Sequence, residues 1–196
     1  SVEDAETYPS SERQFDLARI LVDELHAVGL GNATVDDHCY VTATLPASPG
    51  CEKVPPIAFI AHMDTYPEVS GENVVPTFHE NYRGGDIELP HNGKRIVAAE
   101  NAYLQQCIGE TIITADGTTL LGADDKAGIA IIMGLFEFLQ RHGDLPRPTV
   151  RVAFTPDEEI GRGVSRFPYG RFPVDAAFTL DGTFIGELNF ETFEAR

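Results

Sequence analysis

The first regular pattern along the chain is helical. In SSERQFDLARILVDELHAVGLG (residues 10–31), four apolar residues recur at helical spacing: Phe15, Ala18, Val22 and Leu25. The spacing predicts a surface helix with one buried face. Ser11 and Gln14 predict a capping box at its start, and Gly29 is suited to end it.

Four later segments have the pattern of strands. CYVTATL (39–45) alternates enough to be half-buried, whereas IAFIA (57–61) is continuously apolar and is typical of a central strand. TVRVAF (149–154) and DAAFTL (175–180) predict two further central strands. Between IAFIA and TVRVAF, residues 68–119 form a long excursion rich in Gly, Asn, Pro and charged residues, with short candidate strands such as TIIT (111–114).

A second helix is predicted over DDKAGIAIIMGLFEFLQRHG (124–143), ending at Gly143. It is apolar around nearly its whole circumference, which predicts a buried helix. Its apolar part is too short to span a bilayer. Strands alternating with helices indicate an α/β fold, a three-layer αβα sandwich with a mixed, mostly parallel central sheet.

Acidic residues and one imidazole follow three of the predicted strands. IAFIA leads into His62 and Asp64, TVRVAF into three consecutive acids, and DAAFTL into Asp181. In such sheets ligands collect beyond the carboxyl ends of the strands. We therefore expect these side chains to meet at one edge.

Composition narrows the classes of function. The net charge is −17, from 31 acidic and 14 basic residues, so we expect no nucleic acid and no membrane among the partners. Three widely spaced cysteines suggest neither a disulfide framework nor a thiolate metal site. The sequence has no pattern of a signal peptide, and we expect a cytoplasmic protein.

Each candidate motif also has a structural interpretation. His62 and Asp64 are two residues apart, which suits a metal-bound imidazole held by a carboxylate, but the spacing alone favours a hydrogen bond without metal. Asp124 and Asp125 begin the second helix, where one carboxylate is enough for a cap and a second could bridge two cations.

In FTPDEEIGRG (154–163), the pair Glu158 and Glu159 is either a solvated acidic turn or a metal ligand beside a general base. The convergence of these motifs at one edge of the sheet favours a functional metal site over the structural interpretations. Imidazole and carboxylate ligands without thiolate suit zinc, manganese or cobalt.

Five blocks carry a family resemblance, in order and over nearly the whole chain: FIAHMDTYPEVSG, HENYRGGDIEL, TLLGADDKAGIA, VRVAFTPDEEIGRG and LDGTFIGELNFETF. Together they resemble the tripeptide aminopeptidases, the peptidase T branch of the dinuclear zinc metallopeptidases related to glutamate carboxypeptidases and aminoacylases. The NYRGGDI and GADDKAGIA blocks point to this branch. Thr183 and Phe184 depart from its more glycine-rich loop.

The resemblance implies a role for each site residue. His62 and Asp181 bind one metal, Glu159 binds the other, and Asp124 bridges both. Asp64 orients His62, and Glu158 is the general base that takes a proton from the water shared by two zinc ions. The bond after Asp124 is expected to be cis.

The resemblance also implies that residues 1–196 are the N-terminal portion of a catalytic domain. A lid and dimerisation domain, the return of the catalytic domain and a last histidine ligand would lie outside it. The substrate would be a short peptide, a homodimer would form through the absent domain, and the isolated chain would be weak or inactive. Two alternatives stay open: a related dipeptidase or N-acyl amino acid deacylase, and a non-catalytic domain that kept the fold.

Overall fold

A computed structural model describes residues 1–91, 93–182 and 186–189. The chain divides into two compact units, the first formed by residues 1–64 and 124 onward, the second by Thr65–Ala123. The α-helices and strands of the described residues, in chain order, are α1 (Gln14–Ala27), β1 (Thr34–Val35), β2 (Val41–Leu45), β3 (Ile57–His62), β4 (Pro76–His79), β5 (Ile87–Glu88), β6 (Arg95–Ile96), β7 (Ile112–Ala115), α2 (Ala123–Arg141), β8 (Val150–Thr155) and β9 (Ala176–Thr179).

The first unit is built on a mixed sheet with the strand order β1-β2-β8-β3-β9. The pairings β1–β2 and β2–β8 are antiparallel, whereas β3 is parallel to both β8 and β9. The α/β fold with a mixed central sheet is confirmed. The parallel arrangement brings the carboxyl ends of β3, β8 and β9 to one edge, as the sequence predicts.

Both helices pack against the same face of this sheet. Their buried apolar residues share one core cluster with alternate residues of the strands; the helical members include Leu21, Leu25, Ile132 and Phe136. The other face carries a smaller cluster around Ala58, Ala153 and Phe172, a residue of the connection between β8 and β9. Within the described residues, this connection rather than a helix covers that face.

Helix α1 begins differently from the sequence prediction. Its N-cap is Arg13, without a side-chain capping bond, so the predicted capping box of Ser11 and Gln14 is wrong. The Gln14 side chain is instead buried and bonded to Asp157, 143 residues away. The predicted end is confirmed, because Gly29 follows the helix with a φ of +95°, which favours glycine.

Two predictions of burial are wrong. Helix α2 is buried along one side only, since the side chains of Ile131 and Phe138 are 61% and 49% exposed. Strand β9, predicted as central, is the outermost strand of the sheet among the described residues, and all four of its residues are exposed. Stacking of Phe178 on Phe59, with 5.8 Å between ring centroids, supports its pairing with β3.

The second unit contains the predicted excursion. It has two small antiparallel sheets, β4 with β7 and β5 with β6. Tyr82 is buried there, and its hydroxyl donates to the carbonyl of Gly85. Strand β7 matches the predicted segment 111–114 to within one residue.

In the part of the chain that the structure describes, no helix is long and apolar enough to cross a membrane. Cys39, Cys51 and Cys107 are free thiols, which agrees with the prediction of no disulfide framework.

Candidate metal centre

Strand β3 ends at the centre of the candidate site. His62 and Asp64 are both nearly inaccessible to solvent. The Nδ1 atom of His62 lies 3.3 Å from Oδ1 of Asp64, although the contact lacks the geometry of a hydrogen bond. The other ring nitrogen, Nε2, points to a group of carboxylates. The imidazole thus has one side against a buried acid and the other side toward the site.

The start of α2 places two acids with different surroundings. Asp124 is exposed, and its Oδ1 is hydrogen-bonded to His62 Nε2 at 2.8 Å. Asp125 is buried and accepts the backbone N–H of His62 at 3.1 Å and that of Gly128 at 3.2 Å. The peptide bond between the two aspartates is cis, as the resemblance implies. Asp125 therefore caps the helix and holds the end of β3, while Asp124 remains available to a ligand.

The turn after β8 presents the glutamate pair. Glu158 and Glu159 begin a short 3₁₀ helix, and their backbone N–H groups donate to the two oxygens of Asp64 at 3.0 and 3.2 Å. The carboxylate of Glu158 reaches to 3.8 Å from His62 Nε2. Asp64 thus fixes the glutamate turn as well as lying against the imidazole, a role that the sequence did not reveal.

Asp181 completes the cluster from the end of β9. Its Oδ2 lies 3.9 Å from His62 Nε2. The strand register supports this position, because the N–H of Leu180 donates to the carbonyl of Ile60 at 2.9 Å. Thr183 and Phe184, where the sequence departs from the related branch, lie outside the described residues.

Electrostatics distinguish this cluster from an ordinary acidic surface. Burial lowers the pKa of His62, but Asp64, Asp124 and Asp181 outweigh it and raise the pKa to about 9. Burial, together with the neighbouring acids, raises the pKa values of Glu158, Glu159 and Asp181. Such shifts arise when carboxylates are removed from water and also lie close to other negative charges.

The residues fit a bound cation. Ligand atoms of His62, Asp124 and Glu159 all lie within 4.8 Å of one another. A second group, His62 with Asp125 and Asp181, meets the same distance, but both oxygens of Asp125 already accept backbone hydrogen bonds. Imidazole nitrogen and carboxylate oxygen suit zinc and similar divalent ions.

All six site residues expected from the sequence lie in this cluster: His62, Asp64, Asp124, Glu158, Glu159 and Asp181. Two further residues support the site through contacts that the sequence left open. Asp125 supports His62 through the backbone, and Lys126 donates from Nζ to the carbonyl of Asp64 at 2.8 Å. A lysine following two aspartates was visible in the sequence, but its partner depends on the tertiary fold.

The raised pKa of His62 gives metal binding a defined pH dependence. A divalent ion binds the neutral imidazole, so below pH 9 the ion must displace a proton. We expect the zinc affinity of the metal-free chain to rise as pH increases from 6 to 9, by about tenfold per unit from His62 alone.

Calorimetric zinc titrations in buffers of different ionisation enthalpy measure the released protons. At pH 7.5 His62 should contribute about one proton, and the exposed His142→Gln variant should release as many as the unaltered chain. Binding heats that are independent of the buffer would contradict the assigned ligand.

Comparisons with known proteins identify relatives of this chain. The model of peptidase family M20/M25/M40 matches residues 114–191. The chain is 49% identical over 195 residues to peptidase T of Alkaliphilus oremlandii, covering 98% of this chain and 47% of that protein. With peptidase T of Halothermothrix orenii the identity is 50% over 196 residues, covering 100% and 48%. The chain thus spans about half the length of the curated relatives it matches.

Solved structures show the same fold. Aminopeptidase PepT from Bacillus cereus superposes with a TM-score of 0.61 at 24% identity, covering 86% of this chain and 38% of that one. Aminoacylhistidine dipeptidase from Vibrio alginolyticus gives 0.53 at 21%, covering 93% and 31%.

Proposed function

We propose that this chain belongs to the peptidase family M20/M25/M40 and forms part of a metal-dependent aminopeptidase that releases the N-terminal residue of tripeptides. The proposal concerns a protein of the relatives' full length that contains this segment. Full-chain similarity to proteins named peptidase T supports the tripeptide substrate.

One observation carries the proposal: three carboxylates surround a single ring nitrogen. Asp124, Glu158 and Asp181 lie 2.8, 3.8 and 3.9 Å from Nε2 of His62. A purely structural histidine needs one partner for that atom, and crowding acids around it costs repulsion. A site that binds divalent cations explains the arrangement, because the ions offset the negative charge.

We assign four residues as metal ligands and two, Asp64 and Glu158, as catalytic. His62, Asp124, Glu159 and Asp181 would hold two metal ions. When bound, the ions would activate a water molecule and polarise the scissile carbonyl. Zinc is our first choice of metal, although the same ligands also accept cobalt and manganese.

Proton transfer in the reaction would be carried out by the side chain of Glu158. Glu158 adjoins the ligands without being required as one, and its side chain is half-exposed at the site. It is placed to accept a proton from the attacking water and to pass it to the leaving amine. Its pKa, raised chiefly by burial and also by the nearby acids, moves toward the range in which a carboxyl group exchanges protons readily. Asp64 keeps the imidazole of His62 and the glutamate turn in their positions.

The proposed substrate, a tripeptide, carries a free α-ammonium group at its N-terminus. An N-acylated substrate lacks that charge. This difference separates an aminopeptidase from the related deacylases.

The test uses the full-length protein with a panel of small substrates. After metal removal by a chelator and return of zinc, we expect cleavage of the first peptide bond of a tripeptide, and little cleavage of its N-acetylated form or of an N-acyl amino acid. Chelation and Asp124→Ala should each abolish the reaction. Preferential cleavage of N-acylated compounds would favour a deacylase, and a zinc-loaded protein that cleaves nothing would favour a non-catalytic domain.

A further inference from the structure

The residue before the proposed base is a fully buried acid. Asp157 has no solvent exposure, although Glu158 and Glu159, the next two residues, face the site. Its backbone is left-handed, with φ of +54° and ψ of +28°, a conformation that aspartate tolerates better than most residues. A change in this backbone would therefore redirect Glu158.

The partners of Asp157 come from the segment that leads into α1. Its carboxylate accepts the N–H of Ser10 at 2.8 Å, the hydroxyl of Ser10 at 2.5 Å and Nε2 of Gln14 at 2.7 Å. In return, the backbone N–H of Asp157 donates to Oε1 of Gln14 at 3.1 Å. Gln14 and Asp157 thus form a reciprocal pair that fixes both the side chain and the backbone of residue 157.

The same N-terminal segment also holds the far end of the glutamate turn. Arg162 donates to the carbonyls of Ala5 and Thr7 at 2.9 and 2.8 Å, and its guanidinium lies over the ring of Tyr8. The backbone N–H of Arg162 donates to the carbonyl of Asp157 at 2.9 Å. The turn is therefore anchored on both sides of Glu158 and Glu159.

The opposite side of the turn faces the metal ligands. There Asp64 accepts the N–H groups of Glu158 and Glu159. The glutamate turn lies between two buried aspartates, one that also contacts His62 and one bonded to α1. Rigid support of this kind matters for catalysis because a displacement of about 1 Å can cost about 100-fold in rate.

We propose that Asp157 and Gln14 form a positioning pair for Glu158. The pair makes no contact with substrate and acts by fixing the direction in which the base projects. This inference rests on the proposed function, since it assigns a means of control to the same site.

The experiment exchanges the hydrogen-bond donor and acceptor roles of the side chains at positions 157 and 14 in the full-length protein. In Asp157→Asn, either orientation of the new amide sets a donor against a donor, because its NH2 group faces either Nε2 of Gln14 or the N–H of Ser10; in Gln14→Glu, two carboxylates face each other. In the double variant, the asparagine amide at position 157 can donate to the glutamate carboxylate at position 14, which still accepts the N–H of residue 157. The number of hydrogen bonds within the pair and the net charge are then those of the unaltered protein.

We expect each single variant to lower kcat by about 10- to 100-fold on a tripeptide, with KM and zinc content nearly unchanged, and the double variant to recover most of the loss. Asp16→Asn, an exposed acid in the first turn of α1, is the control and should keep full kcat. Melting temperatures are measured in parallel. If Asp157→Asn does not fold, Ser10→Ala, which removes the hydroxyl that donates to Asp157 and accepts from Val2 and Gln14 but leaves the reciprocal pair intact, should lower kcat less than Gln14→Glu does.

A folded Asp157→Asn variant with normal kcat would overturn the inference, as would a double variant that recovers melting temperature but not kcat. An unaltered protein that binds zinc and cleaves no tripeptide would instead overturn the proposed function.

Discussion

Replacing Glu158 by glutamine is expected to lower tripeptide hydrolysis by the full-length protein by about 10²- to 10⁴-fold, the usual contribution of a positioned general base. Glutamine keeps the size of the side chain but cannot accept a proton from water. Because the four assigned ligands are untouched, zinc binding should persist. Steady-state kinetics together with metal analysis of the same preparation separates the two effects.

The neighbouring residue gives the matched comparison. Glu159→Gln should weaken zinc binding, since Glu159 groups with His62 and Asp124 as a ligand. Glu137→Gln, at an exposed position on α2, should change neither property. If Glu158→Gln retained activity while Glu159→Gln lost it with full zinc content, the roles of the two glutamates would have to be exchanged.

Replacing Gly128 by alanine is expected to disturb both the fold and the metal centre. A Cβ atom at this position would lie 2.2 Å from the carbonyl oxygen of Leu180 and 2.3 Å from Oδ1 of Asp125. Leu180 precedes the ligand Asp181, and Asp125 holds the backbone of His62. We expect a loss of stability of about 1–3 kcal/mol, typical of overpacking, and weaker zinc binding.

Gly134 provides a control within the same helix, because a Cβ atom at this position would meet no atom within 4 Å among the described residues. Gly134→Ala should raise stability by about 0.5–1 kcal/mol through the higher helix propensity of alanine. Denaturant unfolding of both variants, with and without zinc, measures the effects. Equal stability of the two variants would contradict the close packing of α2 against the end of β9.

The sequence predicted the site better than it predicted burial. Each assigned ligand lies at the end of a strand, within a few residues after one, or at the start of a helix, so the local pattern placed it at the sheet edge once parallel strands were assumed. Burial of α2 and β9 was misjudged because apolar composition shows which residues can be buried, but not which neighbours cover them. The exposed Ile131 and Phe138 on α2 illustrate that limit.

Long-range polar contacts were also beyond sequence reasoning. Gln14 matched a helix-capping pattern, yet its side chain bonds to Asp157, a residue far along the chain. A local motif and a tertiary partner compete for the same amide, and the buried carboxylate outcompetes an exposed helix end because an unpaired buried group is costly. Asp157 likewise looked like a third member of the acidic turn, whereas it faces the interior.

The division of the chain has a consequence for the entropy of folding. The first unit breaks off at Asp64 and resumes at Asp124, so the whole second unit is one insertion between those two residues. An ion held by both His62 and Asp124 would cross-link the chain across that insertion. Like a disulfide, it would reduce the freedom of the unfolded chain, and each doubling of loop length adds only about 0.6 kcal/mol to the closure cost. The second unit can therefore change greatly in length while the ligands on either side of it stay together.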